Sequence, residues 1–120
     1  MSPNRCVCVI DDDDLIRAHV VAMLQPQGFE VLDAGDAKTG LKLIAARRPD
    51  VALIDLIMPD MDGVELIAEI RRRWPDLRIV AMSAGGRIGP ELYLDIAEKM
   101  GANACLSKPL TLPELTRALG

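Results

Sequence analysis

The sequence predicts an α/β domain in which helices cover both faces of one parallel sheet. Five short apolar runs alternate with helical patterns, and each run has the length of a strand rather than of a buried helix. Parallel strands need crossover connections, which repeated strand–helix units supply. A third observation concerns size, since 120 residues that are 50% hydrophobic suit one compact domain with a single core.

The five predicted strands share a run of apolar residues that lacks the period of a helix. Such runs are typical of strands buried on both faces, as in a parallel sheet. In chain order they are residues 5–10, 29–33, 51–55, 78–82 and 103–106.

The predicted helices show apolar residues three or four positions apart, which places these residues on one face of each helix. In chain order the stripes are Leu15 to Leu24; Ala37, Leu41 and Ile44; Val64, Ile67, Ile70 and Trp74; Tyr93, Ile96, Ala97 and Met100; and Leu112, Leu115 and Leu119. Pro or Gly follows the first four stripes, as expected where helices end. We interpret the stripes as core faces without a cofactor role.

The composition disfavours two classes of function. The formal net charge is −4 and the only block of basic residues is Arg71–Arg73, so we expect no direct nucleic-acid binding by this chain. We interpret that triplet as a solvated helix end. No apolar run approaches the roughly 18 residues of a membrane span, and acids at 11–14 interrupt any signal-peptide core. We therefore expect a soluble, cytoplasmic protein without membrane contact.

The three cysteines and the single histidine do not form the pattern of a metal site. Cys6 and Cys8 lie in the first predicted strand and Cys105 in the last, while His19 lies in a helical pattern. A zinc site would need more Cys or His ligands at suitable spacing. We expect the cysteines to be small core residues and His19 to be structural.

Polar residues gather at the carboxyl ends of the predicted strands, where open parallel sheets bind their ligands. Asp11 and Asp12 follow the first strand, and Asp55 ends the third. Ser83 follows the fourth strand and Lys108 the fifth. Three carboxylates at one edge can hold Mg²⁺, which prefers oxygen ligands. With a hydroxyl and an ammonium beside them to bind phosphate oxygens, the set suits phosphoryl transfer.

The run DDDD contains more acids than such a site needs. Asp13 or Asp14 suits the N-cap or first turn of the first helix, and we assign both a mainly structural role. The segment from Pro59 to Gly63 is typical of a turn into the third helix, with Asp62 as its N-cap.

The segments VIDDDD, LIDLIMPDMDG, IVAMSA and LSKPL occur in this order at the predicted strand ends. Together they resemble the response regulator receiver domain of two-component signalling, and the resemblance spans essentially the whole chain. It implies a flavodoxin-like strand order, 2-1-3-4-5, which periodicity alone does not give. It also implies one receiver domain over residues 1–120. The short last helix leaves open whether this domain stands alone or belongs to a larger regulator or hybrid kinase.

The resemblance implies roles for the acidic residues. Asp55 would accept a phosphoryl group from a histidine kinase or a histidine phosphotransfer protein. Asp11 and Asp12 would bind Mg²⁺ together with Asp55 and the backbone carbonyl of Ile57. The chain would act as a regulator rather than an enzyme, although it would assist its own phosphorylation and dephosphorylation.

The resemblance also implies that Ser83 and Lys108 contact the phosphoryl group and that the bond from Lys108 to Pro109 is cis. Movement of Ser83 would change the affinity for a downstream partner, whose identity is unknown. Receivers commonly carry Tyr or Phe as a switch residue three positions before the lysine, where this chain has Cys105. The usual aromatic readout is therefore in doubt.

The segment after Ser83 looks a few residues longer than in the commonest receivers. Its glycines at 85, 86 and 89 lack the Gly-Lys-Ser/Thr sequence of a phosphate-binding loop. We therefore predict that signalling relies on movement of the loop and helix at residues 84–96.

Two other functions stay open at this point. A haloacid-dehalogenase-type phosphatase would use Asp11 as its nucleophile and Asp13 as the second acid. Against it, Leu15 replaces the usual Thr or Val, 120 residues leave no room for a cap, and Asp55 has no role. The other alternative is a receiver-like docking module that is never phosphorylated and need not bind Mg²⁺.

Overall fold

The computed structural model describes residues 5–59, 61–83, 95 and 98–120. Within them the strands are β1 (Cys6–Ile10), β2 (Glu30–Ala34), β3 (Val51–Asp55), β4 (Arg78–Ser83) and β5 (Ala104–Ser107). The α-helices with defined bounds are α1 (Asp14–Leu24), α2 (Ala37–Arg47), α3 (Gly63–Arg73) and the C-terminal helix (Leu112–Leu119). None of the helices in this part of the chain has the length and apolar character needed to span a membrane.

The five strands lie parallel in one sheet with the order β2-β1-β3-β4-β5. The predicted fold class and strand order are therefore confirmed. Val7 of β1 pairs with both Val31 of β2 and Val51 of β3, which places β1 inside the sheet. Every residue of β3 is buried, and this burial on both faces explains why its sequence shows no polar alternation.

Alternate residues of the central strands contribute to two apolar layers. Cys8 and Ile54 belong to the layer that α2 and α3 cover. Val9 and Leu53 belong to the layer that α1 and the C-terminal helix cover. Because successive side chains of a strand point to opposite faces, this alternation places helices on both sides of the sheet.

Aspartates cap three of the helices. Asp13 accepts hydrogen bonds from the amides of Leu15 and Ile16, at 2.9 and 3.3 Å, and caps α1. Asp36 caps α2 in the same way. Asp62 caps α3 by accepting from the amide of Val64 at 2.8 Å. The structural roles predicted for Asp13 and Asp62 are confirmed.

Some predicted strand boundaries differ by one residue from those in the structure, and one difference bears on the site. β4 continues to Ser83, because this residue still pairs with Ser107 of β5. Ser83 is therefore the last residue of its strand rather than the first residue after it. The fourth predicted stripe falls largely outside the described residues, and so does the segment 84–96 except for residue 95.

The prediction that Arg71–Arg73 form a solvated helix end is wrong for Arg71. Arg71 is half-buried, whereas Arg72 and Arg73 are exposed and pair with Glu69. Its guanidinium donates hydrogen bonds of 2.6 to 3.0 Å to the carbonyl oxygens of Pro75, Leu77 and Gly101 and to Oδ1 of Asn103. It thereby connects the end of α3 to the segment that precedes β5.

Trp74, the only tryptophan of the chain, is the C-cap residue of α3. The guanidinium of Arg73 lies 5.9 Å from the centre of its ring. Gly63 begins the same helix beside Asp55, and a helix of 11 residues is about 16 Å long. Trp74 therefore lies at the edge of the sheet opposite to Asp55.

Candidate functional site

The strand order brings three predicted metal ligands together. β1 and β3 are adjacent and parallel, so their carboxyl ends meet at one edge of the sheet. One carboxylate oxygen from each of Asp11, Asp12 and Asp55 lies within 4.8 Å of the others. Asp11 is fully buried and Asp55 is 6% exposed, whereas Asp12 is exposed to solvent. The three carboxylates thus form a cluster that an ion can reach from the side of Asp12.

Lys108 places a positive charge against two of these carboxylates. Its Nζ lies 2.8 Å from Oδ2 of Asp11 and 3.5 Å from Oδ1 of Asp55. Burial acts to lower the pKa of Lys108, but its hydrogen bond to Asp11 and the charges of both carboxylates outweigh burial and raise the pKa. The peptide bond to Pro109 is cis, as the resemblance implied. Lys108 is therefore a permanent cation of this cluster.

The environment of Asp55 makes its carboxylate unusually basic. Burial raises its pKa to about 6, and the negative charge of Asp11 acts in the same direction. Lys108 and the amide of Ile57, which lies 3.4 Å from Oδ1, lower the pKa but only in part. Asp55 is therefore ionised above its pKa, yet it gains more from a neighbouring cation than an exposed aspartate does.

The segment after Asp55 is held against the strand ends by backbone hydrogen bonds. The amide of Leu56 donates to the carbonyl of Met82 at 3.0 Å, and the amide of Gly63 donates to that of Leu56 at 2.9 Å. A Cβ at Gly63 would lie 2.4 Å from the carbonyl oxygen of Asp55. Glycine is therefore required for α3 to begin this close to β3. Ile57 is 48% exposed, and a metal-binding role for its carbonyl stays a prediction.

Ser83 lies at the same edge of the sheet as the acids. It is buried, and the residue before it, Met82, pairs with Asp55 across β3 and β4. Its carbonyl accepts a hydrogen bond of 2.8 Å from the amide of Lys108. Its position thus suits contact with a group bound to Asp55, and that contact stays a prediction.

The cysteine thiols are shifted away from their reactive form. Burial raises the pKa of Cys8 to about 12. Burial and the nearby carboxylates of Glu98 and Asp95 raise that of Cys105 to about 11. Cys8 is fully buried, as expected of a core residue. Cys6 and Cys105 are half-buried, so the prediction that they are core residues holds only in part. The switch role of Cys105 stays a prediction.

Arg17 is a residue of this region that sequence reasoning did not single out. Its Nη1 donates to the carbonyl of Asp11 at 2.7 Å, its Nε donates to Oδ2 of Asp33 at 3.2 Å, and its Nη2 pairs with Asp14. The spacing of three residues from Asp14 to Arg17 on a helix was the available signal. The bonds to Asp11 and Asp33 appear only once the fold is known.

The donor set of Asp11, Asp12 and Asp55 fits Mg²⁺. These side chains offer only oxygen atoms, the ligand type that Mg²⁺ prefers. Burial, first, and the charge of Asp11, second, raise the pKa of Asp55 by more than Lys108 and the amide of Ile57 lower it. A divalent cation bound to all three acids would remove this imbalance.

Comparison with known proteins relates the whole chain to one family. The family model described as the response regulator receiver domain matches residues 7–120. The photosynthetic apparatus regulatory protein RegA of Rhodobacter capsulatus is 31% identical over 99% of this chain and 63% of RegA. The DNA-binding transcriptional regulator NtrC of Azospirillum brasilense is 37% identical over 91% of this chain and 22% of NtrC. The chain thus spans less than two thirds of the length of these relatives.

Two solved structures match the chain over nearly their full length. The chemotaxis protein CheY4 of Vibrio cholerae has a TM-score of 0.86 and 29% identity, covering 97% of this chain and 96% of CheY4. The receiver domain of NtrX from Brucella abortus has a TM-score of 0.85 and 31% identity, covering 94% of this chain and 97% of that domain. The similarity to these two structures therefore covers 94 to 97% of this chain.

Proposed function

Because the chain belongs to the response regulator receiver family, whose model matches residues 7–120, we propose that it is a phosphoryl-accepting switch in which Asp55 is the acceptor. The observation that carries this proposal is the convergence of Asp55 with Asp11, Asp12 and Lys108 at one edge of the sheet. The donor would be a histidine kinase or a histidine phosphotransfer protein of a two-component phosphorelay.

The proposed transfer would use groups that lie at this edge of the sheet. A carboxylate oxygen of Asp55 attacks phosphorus and forms a P–O bond, while the P–N bond to the donor histidine breaks and its electron pair stays on the imidazole nitrogen. The Lys108 ammonium, close to both buried carboxylates, pairs with the negative charge of the phosphoryl oxygens. The Ser83 hydroxyl donates a hydrogen bond to the transferred group.

The acidic residues have a second task in this proposal. Asp11, Asp12, Asp55 and the carbonyl of Ile57 would hold Mg²⁺, which when bound neutralises charge on the phosphoryl oxygens. Lys108 keeps Asp11 and Asp55 in place when no ion is bound, because its ammonium contacts both. Both carboxylate oxygens of Asp11 accept hydrogen bonds, from the amide of Asp13 and from Lys108, which suits a ligand held in one orientation.

Phosphorylation would change the charge beside Ser83 and so drive the switch. A phosphoryl group adds about 1.5 to 2 negative charges, which a hydroxyl can approach as a donor. We propose that movement of Ser83 passes to the segment 84–96 and to Cys105, and alters the affinity for a downstream partner.

The proposal describes a regulator rather than an enzyme, since the phosphoryl group ends on the chain's own Asp55. We propose that residues 1–120 form one receiver domain. Its net charge of −4 supports a role without direct nucleic-acid binding. Its three free thiols suit the reducing conditions of the cytoplasm, where we propose that it acts without membrane contact.

Intact-protein mass spectrometry after incubation with acetyl phosphate tests the acceptor. We expect one phosphoryl adduct on the native chain, formed only with Mg²⁺ and absent from Asp55→Asn. Asp11→Asn should form much less adduct. The matched control is Asp76→Asn, which changes an exposed carboxylate at the opposite edge and should react like the native chain.

The other outcomes separate the two alternative functions. An adduct that survives in Asp55→Asn but disappears in Asp11→Asn would indicate the phosphatase. A native chain that forms no adduct and binds no Mg²⁺ would indicate a docking module.

A further inference from the structure

The Arg17 side chain connects three elements behind the acidic turn between β1 and α1. It donates to the backbone carbonyl of Asp11, in the turn, and pairs with Asp14 in the first turn of α1. It also bonds to the carboxylate of Asp33 in β2. The side chain is only 16% exposed, so most of it lies against the protein.

Arg17 completes the set of bonds that fix Asp11. The amide of Asp11 donates to the carbonyl of Ala34 at 3.1 Å. Its Oδ1 accepts from the amide of Asp13 at 2.9 Å, and its Oδ2 accepts from Lys108 at 2.8 Å. Arg17 supplies the partner of the Asp11 carbonyl. The amide, the carbonyl and both carboxylate oxygens of Asp11 thus all have partners among the described residues. The direction in which the chain leaves Asp11, and hence the position of Asp12, depends on these bonds.

We propose that Arg17 is a positioning residue of the Mg²⁺ site, which sets the affinity for the ion by holding the turn that carries Asp11 and Asp12. This inference rests on the proposed function, since it concerns the same ion. The residues that orient metal ligands commonly change metal affinity when they are removed, even though they do not touch the ion.

The positive charge of Arg17 is the main argument against this role, because one cation repels another. Two carboxylates, those of Asp14 and Asp33, contact the guanidinium and offset its charge. The repulsion that reaches the ion is therefore small, and loss of the fixed turn dominates when Arg17 is removed.

Gly35 leaves space for this arrangement. A Cβ at Gly35 would lie 3.1 Å from Nη1 of Arg17, the atom that bonds to the carbonyl of Asp11. A methyl group at position 35 would therefore require the guanidinium to shift by a few tenths of an ångström, without changing any charge.

A titration with MgCl₂ followed by amide NMR shifts of residues 12 and 13 tests the proposal. We expect Arg17→Met to raise the dissociation constant for Mg²⁺ on the order of 10-fold or more. The matched control is Arg47→Met, which also removes one positive charge and breaks an exposed ion pair, the one with Glu30 at the start of β2. It should stay within about twofold of the native chain.

Two further variants keep the proposal open to refutation if Arg17→Met does not fold. Arg17→Lys should restore part of the affinity, because an ammonium can donate to the carbonyl of Asp11 but cannot make all three contacts. Gly35→Ala should weaken Mg²⁺ binding a few-fold with all charges retained. If Arg17→Met folds and binds Mg²⁺ with native affinity, the role of Arg17 is overturned, and the proposed function is not. If Arg17→Met does not fold, native affinity in Gly35→Ala has the same meaning. A native chain that binds no Mg²⁺ would overturn the metal part of the proposed function as well.

Discussion

The carboxyl group of Asp55 carries a pH dependence that can be measured in the metal-free protein. Its pKa is raised to about 6 by burial and by Asp11, so the folded state binds this proton more tightly than the unfolded state does. The stabilising effect of the bound proton is present at low pH and is lost as the pH rises from about 4 through about 6. The free energy of unfolding should therefore fall over this window relative to Asp55→Asn.

Urea unfolding in EDTA, repeated from pH 4 to 7.5, measures this difference. From pH 4 to 7.5 we expect the free energy of unfolding of Asp55→Asn to increase by roughly 1 to 3 kcal/mol relative to that of the native chain. A difference between the two proteins that does not vary with pH would contradict the raised pKa.

Individual site residues differed in how far the sequence could predict them. The convergence of Asp11, Asp55 and Lys108 could be predicted because the ends of parallel strands meet at one edge, whatever the details of packing. Arg17 could not, because its bond to Asp33 joins residues 16 apart whose side chains meet only in the folded chain. The contacts of Arg71, outside the site, could not be predicted either, because its neighbours Arg72 and Arg73 are also arginines and yet are exposed.

At the scale of elements, Arg71 should prove the most important residue of its triplet for stability. Arg71→Met removes hydrogen bonds that join α3 to the segment before β5, and it leaves carbonyl groups without their charged donor. We expect a loss of roughly 2 to 4 kcal/mol in the free energy of unfolding. Arg72→Met is the matched control, since it removes an exposed pair with Glu69 and should lose less than about 1 kcal/mol.

Chemical denaturation of the two variants at one pH and one salt concentration makes the comparison. Equal losses in both would show that the contacts of Arg71 contribute no more than a surface ion pair.

The existence of the elements was easier to predict than their ends. The run at 51–55 matched β3 in full because all of its residues are apolar up to the final aspartate. The end of β4 was misplaced because a serine does not distinguish a last strand residue from a first loop residue. Ser83 stays in the strand through its pairing with Ser107, which is a contact between distant parts of the chain.

For the whole molecule, binding of Mg²⁺ should appear as added stability. An ion that binds only the folded state stabilises it by mass action, by about 2.7 kcal/mol when its free concentration is one hundred times the dissociation constant. We expect the melting temperature of the native chain to rise with MgCl₂. The rise should be lost or much reduced in Asp12→Asn, because Asp12 is exposed and its substitution removes a proposed ligand without disturbing the core.

Scanning calorimetry with NaCl at matched ionic strength is the control for this measurement. A native melting temperature that MgCl₂ leaves unchanged would favour the docking module, whose fold needs no ion.

The order of the strands lay beyond what the sequence pattern alone could give. Repeated strand–helix units predict a parallel sheet, but right-handed crossovers still allow several orders of the same five strands. The order 2-1-3-4-5 came from the resemblance of four short segments, and the structure agrees with it. The site depends on this order, because only adjacent β1 and β3 bring Asp11 and Asp55 together.

The location of Trp74 gives the protein an intrinsic optical probe of folding. It is the sole tryptophan and lies one helix length away from the acidic edge, so its emission should respond to unfolding and stay constant when ions or donors bind. Denaturation curves with and without a ligand can then share the same baselines. Stability and occupancy, which often mix in one fluorescence signal, become separable in an unlabelled sample.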